Sequence, residues 1–288
     1  MARSTKKQLR AVWLQLHKWI GLLLALLIIP ISLTGSALVW HDWLDAQLEP
    51  ARHANYGQAS LPPSAYIGAA RRVLAPNERV STIRFGDGGK PVVVTATKPA
   101  EGSARPERIN VWLNPSNAGV IDSASASSGP VQVMHVLHGS LMVPGWGRKI
   151  VGWVGVFMLI SCLTGIWLWW PLSGSVRSGF QWKRRNTLNA NLHYMTGFWI
   201  LIPLAMLSFT GAWISFPKLF GMFESRPAPS STDRMRAMRA APLEAPVLTI
   251  DQARAAAQPH ATGELVSIGW PTDQKAEWKI GFSREGGP

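Results

Sequence analysis

The 288-residue chain carries 29 Lys and Arg against 16 Asp and Glu, a net charge of +13 that would suit a nucleic-acid binder until the charges are placed. Arg3, Lys6, Lys7, Arg10 and Lys18 precede the first long apolar run, and Arg177, Lys183, Arg184 and Arg185 lie between the second and third, with no acid in either stretch. Those nine cations hold most of the excess, and 41–130 and 218–288 are nearly balanced, so the basic folded face that nucleic acid needs is excluded. Cys162 is the one cysteine, which excludes a disulfide framework and a CxxCH haem attachment.

In chain order, the first apolar run predicts a membrane span over about Trp19–Trp40, with the two tryptophans as interface anchors. Its basic start and the small residues at Gly35–Ala37 resemble a signal peptide, but the run is too long, so an uncleaved anchor is expected. Pro30 is expected to kink the span, with Ser32 and Thr34 near enough to serve the freed backbone. The cations before span 1 and after span 2 follow the positive-inside pattern, placing the N-terminus and the 171–192 loop in the cytoplasm.

Residues 60–122 read as a small α+β unit. A helix over Ser64–Leu74 is followed by strands Val80–Phe85 and Pro91–Thr97 joined through Gly86–Gly89, then a hairpin Arg108–Leu113 to Val120–Asp122, and a linker Ser123–Gly129. The glycine cluster lacks the spacing of a nucleotide-binding loop. His135 and His138 then lie three apart, on one face if helical, before a Pro-Gly-Trp-Gly break. Span 2 is expected over about Ile150–Trp170 and span 3 over about Tyr194–Phe216. Arg148 and Lys149 fall at the external end of span 2, where lipid phosphate or, for the Arg fork, a haem propionate would be the partner. Ser225–Glu244 reads as loop or surface helix; a helix at Thr249–Ala257 and strands at Glu264–Trp270 and Ala276–Phe282 then repeat the order of the 64–97 unit.

Leu16–Gly35 and Leu192–Gly211 echo one another. Both begin Leu-His, place a glycine four residues after the histidine (Gly21, Gly197), carry a mid-span proline and end Ser-x-Thr-Gly. A single such histidine ordinarily caps or snorkels at the membrane edge. Two in register, each with a glycine one turn on where a flat macrocycle could lie against the backbone, read as haem ligands, because intramembrane ionisable residues are functional candidates. Low-spin b-type haem needs two axial imidazoles from facing helices, and His17 and His193 both sit at the cytoplasmic ends of their spans. His138 and His135 sit at the opposite face, about a membrane thickness away, so a second haem would use His138 with His41 or with a histidine on a further span.

The resulting divisions are 1–45 (tail and span 1), 46–130 (soluble unit), 131–171 (His-containing segment and span 2), 172–217 (loop and span 3) and 218–288 (second soluble unit, incomplete). Leu16-His17 with Gly21, His138-Gly139-Ser140-Leu141, Gly147-Arg148, Thr164-Gly165, Trp169-Trp170-Pro171, Leu192-His193 and Gly197 together resemble the PepSY-associated transmembrane family over nearly the whole chain. The resemblance implies an α-helical membrane protein on a four-span plan, three of whose spans are seen here, with small α+β PepSY-like units on the periplasmic side of a bacterial inner membrane. It also implies b-type haem, one or two bis-His groups, and kinship with ferric-siderophore reductases that deliver electrons to periplasmic Fe(III) chelates. Electrons would come from quinol or a separate reductase, since no flavin or nicotinamide fingerprint is present.

Two other classes compete. A non-enzymatic anchor would bind or regulate periplasmic proteins through its PepSY-like units and would tolerate loss of the membrane histidines. A transporter subunit is disfavoured because no acidic residue lies inside any span to couple ions. His53 and His260, in soluble segments, read as solvated.

Overall fold

Among the described residues of this computed structural model, three helices are long and apolar enough to cross a membrane: Gln8–Leu38, Gly147–Trp169 and Leu188–Ser215. The structure describes residues 2–99, 106–170, 180, 187–221, 236–237, 239–261 and 263–283. Arg177, Lys183, Arg184 and Arg185, most of Ser225–Glu244, and the end at Arg284–Pro288 lie outside the described residues. The helices are α1 (Ala2–Leu38), α2 (His41–Leu48), α3 (Pro63–Arg71), α4 (Pro130–Ser140), α5 (Gly147–Trp169), α6 (Leu188–Ser215), α7 (Pro217–Phe220) and α8 (Ile250–Ala257). The strands are β1 (Arg79–Arg84), β2 (Val92–Lys98), β3 (Glu107–Leu113), β4 (Val120–Ser125), β5 (Leu265–Gly269) and β6 (Lys279–Phe282). Two compact units result, 1–39 with 133–228 and 40–132 with 229–288.

In the first unit, α1 starts well before the expected Trp19, because nothing in the basic leader breaks a helix, and it runs through Pro30 to Leu38. The Thr34 hydroxyl donates to the carbonyls of Pro30 and Ile31, at 2.7 and 3.1 Å. α5 packs on both α1 and α6. Small residues allow the α5–α6 approach: a Cβ on Gly155 would stand 2.8 Å from the Ser208 carbonyl oxygen, and one on Gly152 would stand 2.7 Å from Ser215 Cβ. Membrane helices gain packing this way, since lipid supplies no hydrophobic drive between them. Leu22, Leu23, Leu26, Ile29 and Leu33 of α1 remain exposed, as a lipid-facing surface requires. Arg10 donates to the carbonyls of Leu168 and, at 3.0 Å, Trp170, so a cation from α1 meets the orphan acceptors at the C-terminus of α5.

The second unit corrects the two-domain reading. The 60–122 and 249–282 segments form one six-stranded antiparallel sheet in the order β4-β3-β2-β1-β5-β6. β1 pairs with β5 about Ile83↔Ile268, both fully buried. The pairing is two-fold symmetric in its bonds: Phe85 N–H donates to the Val266 carbonyl at 2.9 Å and Trp270 N–H to the Ser81 carbonyl at 2.8 Å. Register shifts fall between Val80 and Thr82 and between Leu265 and Ser267, so each irregularity lies two residues before its isoleucine. The physical reason is the edge: β1 alone would present a row of unpaired backbone groups, and the repeat supplies a strand to cover it. α3 and α8 pack together, and Ser64 N–H of α3 donates to Asp251 of α8 at 3.3 Å. Tyr66, Ile67, Val80, Val94, Val111, Leu113, Ile250 and Ile268 form one continuous core; a fully buried aliphatic side chain of this kind contributes about 1.5–3 kcal/mol. Several boundaries differ from expectation: α3 ends at Arg71 and not Leu74, and α6 starts at Leu188, six residues before Tyr194. β4 runs on through Ser125 into the expected linker, because Ser123, Ala124 and Ser125 pair with β3, and β6 starts only at Lys279.

Candidate functional site

His17 lies just before the uncharged apolar stretch of α1, with its ring against α5. Its Nδ1 is 3.0 Å from Thr164 Oγ1 and 3.4 Å from Ser161 Oγ, and its Cε1 is 3.4 Å from where a Cβ on Gly165 would stand. His193 occupies the matching register of α6, and the two imidazole centres are 6.0 Å apart with their planes tilted at 60°. The two rings that the sequence repeat singles out are therefore neighbours. Two imidazole nitrogens about 2 Å from one metal put their ring centres roughly 6 Å apart, so the spacing fits a metal held between them. Among the described residues no group of three or more His, Cys, Asp or Glu is placed to hold a metal ion. Two protein ligands leave a bare ion short of its usual four, whereas a porphyrin supplies its own equatorial nitrogens.

Gly21 and Gly197, one turn beyond each histidine, adjoin open space: a Cβ at either would meet nothing within 4 Å. Packing against the described chain does not call for glycine at these positions.

The family model described as the PepSY-associated TM region matches residues 14–279. The chain belongs to the PepSY-associated transmembrane family. No curated protein matches it. This PepSY-associated protein is thus a membrane protein whose spans carry the histidine register and whose sheet unit is the α+β part.

The remaining predicted residues fall at different places. His138, on α4, has Nδ1 2.9 Å from the Ile31 carbonyl oxygen of α1. Its ring fills the space over Gly35, where a Cβ would come within 2.7 Å of Cε1. Ile31 is fourteen residues beyond His17 on α1, about 21 Å along a helix, so the two histidine levels are well separated. His135 is exposed on α4, one turn before His138. His41 opens α2 in the sheet unit, its Nε2 3.2 Å from the Asp42 carboxylate. Arg148 donates to the Ile214 carbonyl at 2.7 Å and so meets the acceptors at the end of α6, as Arg10 does for α5. His53, expected to be solvated, is held 2.9 Å from Asp45; His260 is exposed.

Sequence reasoning did not foresee the seats of these rings. Thr164 with Ser161, and Gly35 with the Ile31 carbonyl, are the groups His17 and His138 touch. A signal was present, since Thr-Gly recurs in all three spans at Thr34-Gly35, Thr164-Gly165 and Thr210-Gly211.

Proposed function

We propose that this PepSY-associated protein is a b-haem-bearing reductase of the bacterial inner membrane that carries electrons outward to reduce Fe(III) in a periplasmic siderophore. The observation that carries the reading is the His17–His193 pair, 6.0 Å between ring centres on separate spans, beside two glycines with open space at their Cβ positions. When bound, haem supplies one-electron chemistry at an iron whose potential depends on its axial ligands, hydrogen bonding and burial. His17 and His193 would hold the haem, with Gly21 and Gly197 leaving room beside the rings. His138 would serve a second group nearer the far end of α1, with Arg148 as the cation for its propionates.

Each turnover takes one electron from quinol or a separate reductase and adds it to chelated Fe(III), giving Fe(II). Oxygen-donor chelators hold Fe(II) far more weakly, so the metal is released without any bond to carbon being made or broken. The positive-inside charge pattern supports an N-terminus in the cytoplasm and a sheet unit in the periplasm, where the chelate would arrive. The test is the absorption spectrum of the full chain purified in detergent, with His17→Ala and His193→Ala. Haem bands in the wild type that fall several-fold in both variants are expected; a colourless wild type, or haem content unchanged in both, defeats the proposal.

One observation favours the anchor reading in its place. The sheet face opposite the core forms a groove of about 1090 Å³ lined by Ser81, Thr95, Asn110, Arg84, Arg108 and Lys279, among others. Binding of a periplasmic protein there, with the membrane histidines tolerant of alanine, would shift the function to that class.

A further inference from the structure

We infer that the Thr-Gly steps of α1 and α5 are positioning residues that seat the His138 and His17 rings and hold each with its proton on Nδ1. The carbonyl of Ile31 can only accept, so the 2.9 Å contact from His138 requires an N–H at Nδ1. In α5 the Thr164 hydroxyl donates its single proton to the Ser161 carbonyl at 3.0 Å. With that proton engaged in its own helix, its oxygen is left to accept from His17 Nδ1 at 3.0 Å, and Ser161 Oγ lies 3.4 Å from the same nitrogen.

The two steps present different acceptors beside the same kind of threonine. Thr34 donates to the Pro30 and Ile31 carbonyls at 2.7 and 3.1 Å, and His138 Nδ1 meets the Ile31 carbonyl itself; Thr164 donates to the Ser161 carbonyl, and His17 Nδ1 meets the Thr164 hydroxyl oxygen. The glycine that follows removes the side chain the ring would strike: a Cβ at Gly35 would stand 2.7 Å from His138 Cε1, and one at Gly165 would stand 3.4 Å from His17 Cε1. Thr210-Gly211 on α6 shows that the threonine behaviour belongs to the step itself, since Thr210 bonds the Met206 and Leu207 carbonyls at 2.9 and 3.2 Å with no ring over Gly211.

A neutral imidazole carrying its proton on Nδ1 keeps its lone pair on Nε2, and the partner of the protonated nitrogen fixes both ring orientation and basicity. The last consequence, that Nε2 is the nitrogen offered to iron, rests on the haem reading above; the tautomers do not.

The experiment is ring 15N and 13C NMR of the full chain in detergent with labelled histidine, His17 and His138 being assigned by their alanine variants. Single Nδ1–H tautomers are expected at both. Thr164→Val should turn the His17 signal into a tautomer mixture and leave His138 unchanged, while Thr164→Ser keeps the wild-type signal. Gly35→Ala should do the reverse, disturbing His138 alone, so each unmoved ring reports that the variant has folded. Nε2–H signals in the wild type, or a His17 signal indifferent to Thr164→Val, overturn the inference. On haem-loaded protein, Thr164→Val should weaken haem retention 10–100-fold, the usual effect of losing such a partner, with Thr164→Ser restoring it. A chain that never takes up haem defeats the reductase reading while the tautomer result stands or falls by itself.

Discussion

At the scale of single residues, glycine separates packing from ligand space. Gly155 and Gly35 are glycine because a backbone carbonyl and an imidazole occupy the place of a Cβ, whereas a Cβ at Gly21 would touch nothing within 4 Å. On the haem reading proposed above, Gly21→Leu is expected to leave thermal stability within about 0.5 kcal/mol of wild type, as a surface substitution does, while haem content falls to the level of the His17→Ala variant. Scanning fluorimetry and the absorption spectrum of one preparation check both halves. Stability and haem content falling together would assign Gly21 to packing. His17 teaches a related lesson. Its register was legible because it recurs in the chain, but its contact with Thr164 was not, because 147 residues separate the two and no periodicity links them.

At the scale of elements, helix composition announces a membrane span, and small residues decide how closely two spans approach. The α5–α6 seam is built on Gly152, Gly155, Ser208 and Ala212, so Gly155→Ala puts a methyl group 2.8 Å from the Ser208 carbonyl. Forcing the helices apart should cost about 1–3 kcal/mol, the usual range for overpacking, read as a lower unfolding midpoint in detergent. Ser208 Oγ already donates within its own helix to the Leu204 carbonyl at 2.6 Å, so it offers the displaced neighbour no compensating bond. The arginines follow the same logic of helix ends. Arg10 and Arg148 read in the sequence as membrane-edge cations, and each also reaches the C-terminal carbonyls of a neighbouring span. Charge placement along the chain could predict the first role; the second needs the neighbour's position.

At the scale of the whole molecule, the sheet unit joins two distant stretches of chain into one cooperative body. Ile83 and Ile268 face one another at its centre, fully buried. Ile268→Ala is expected to cost about 2–5 kcal/mol and to speed hydrogen exchange of β1–β3 amides together with those of β5–β6. Faster exchange confined to β5–β6 would mean that the halves unfold separately. By itself the sequence determined the spans, the order of the strands, and the paired histidine register, because apolar length, alternation and turn residues are local properties written along the chain; the short helices α2 and α7 were not legible in it. Only the tertiary structure decided that the repeats share one sheet, that His17 and His193 face each other across two spans, and that Thr-Gly steps receive the rings. Those are choices of partner, and a residue pattern tells which face of an element must be covered without telling what covers it.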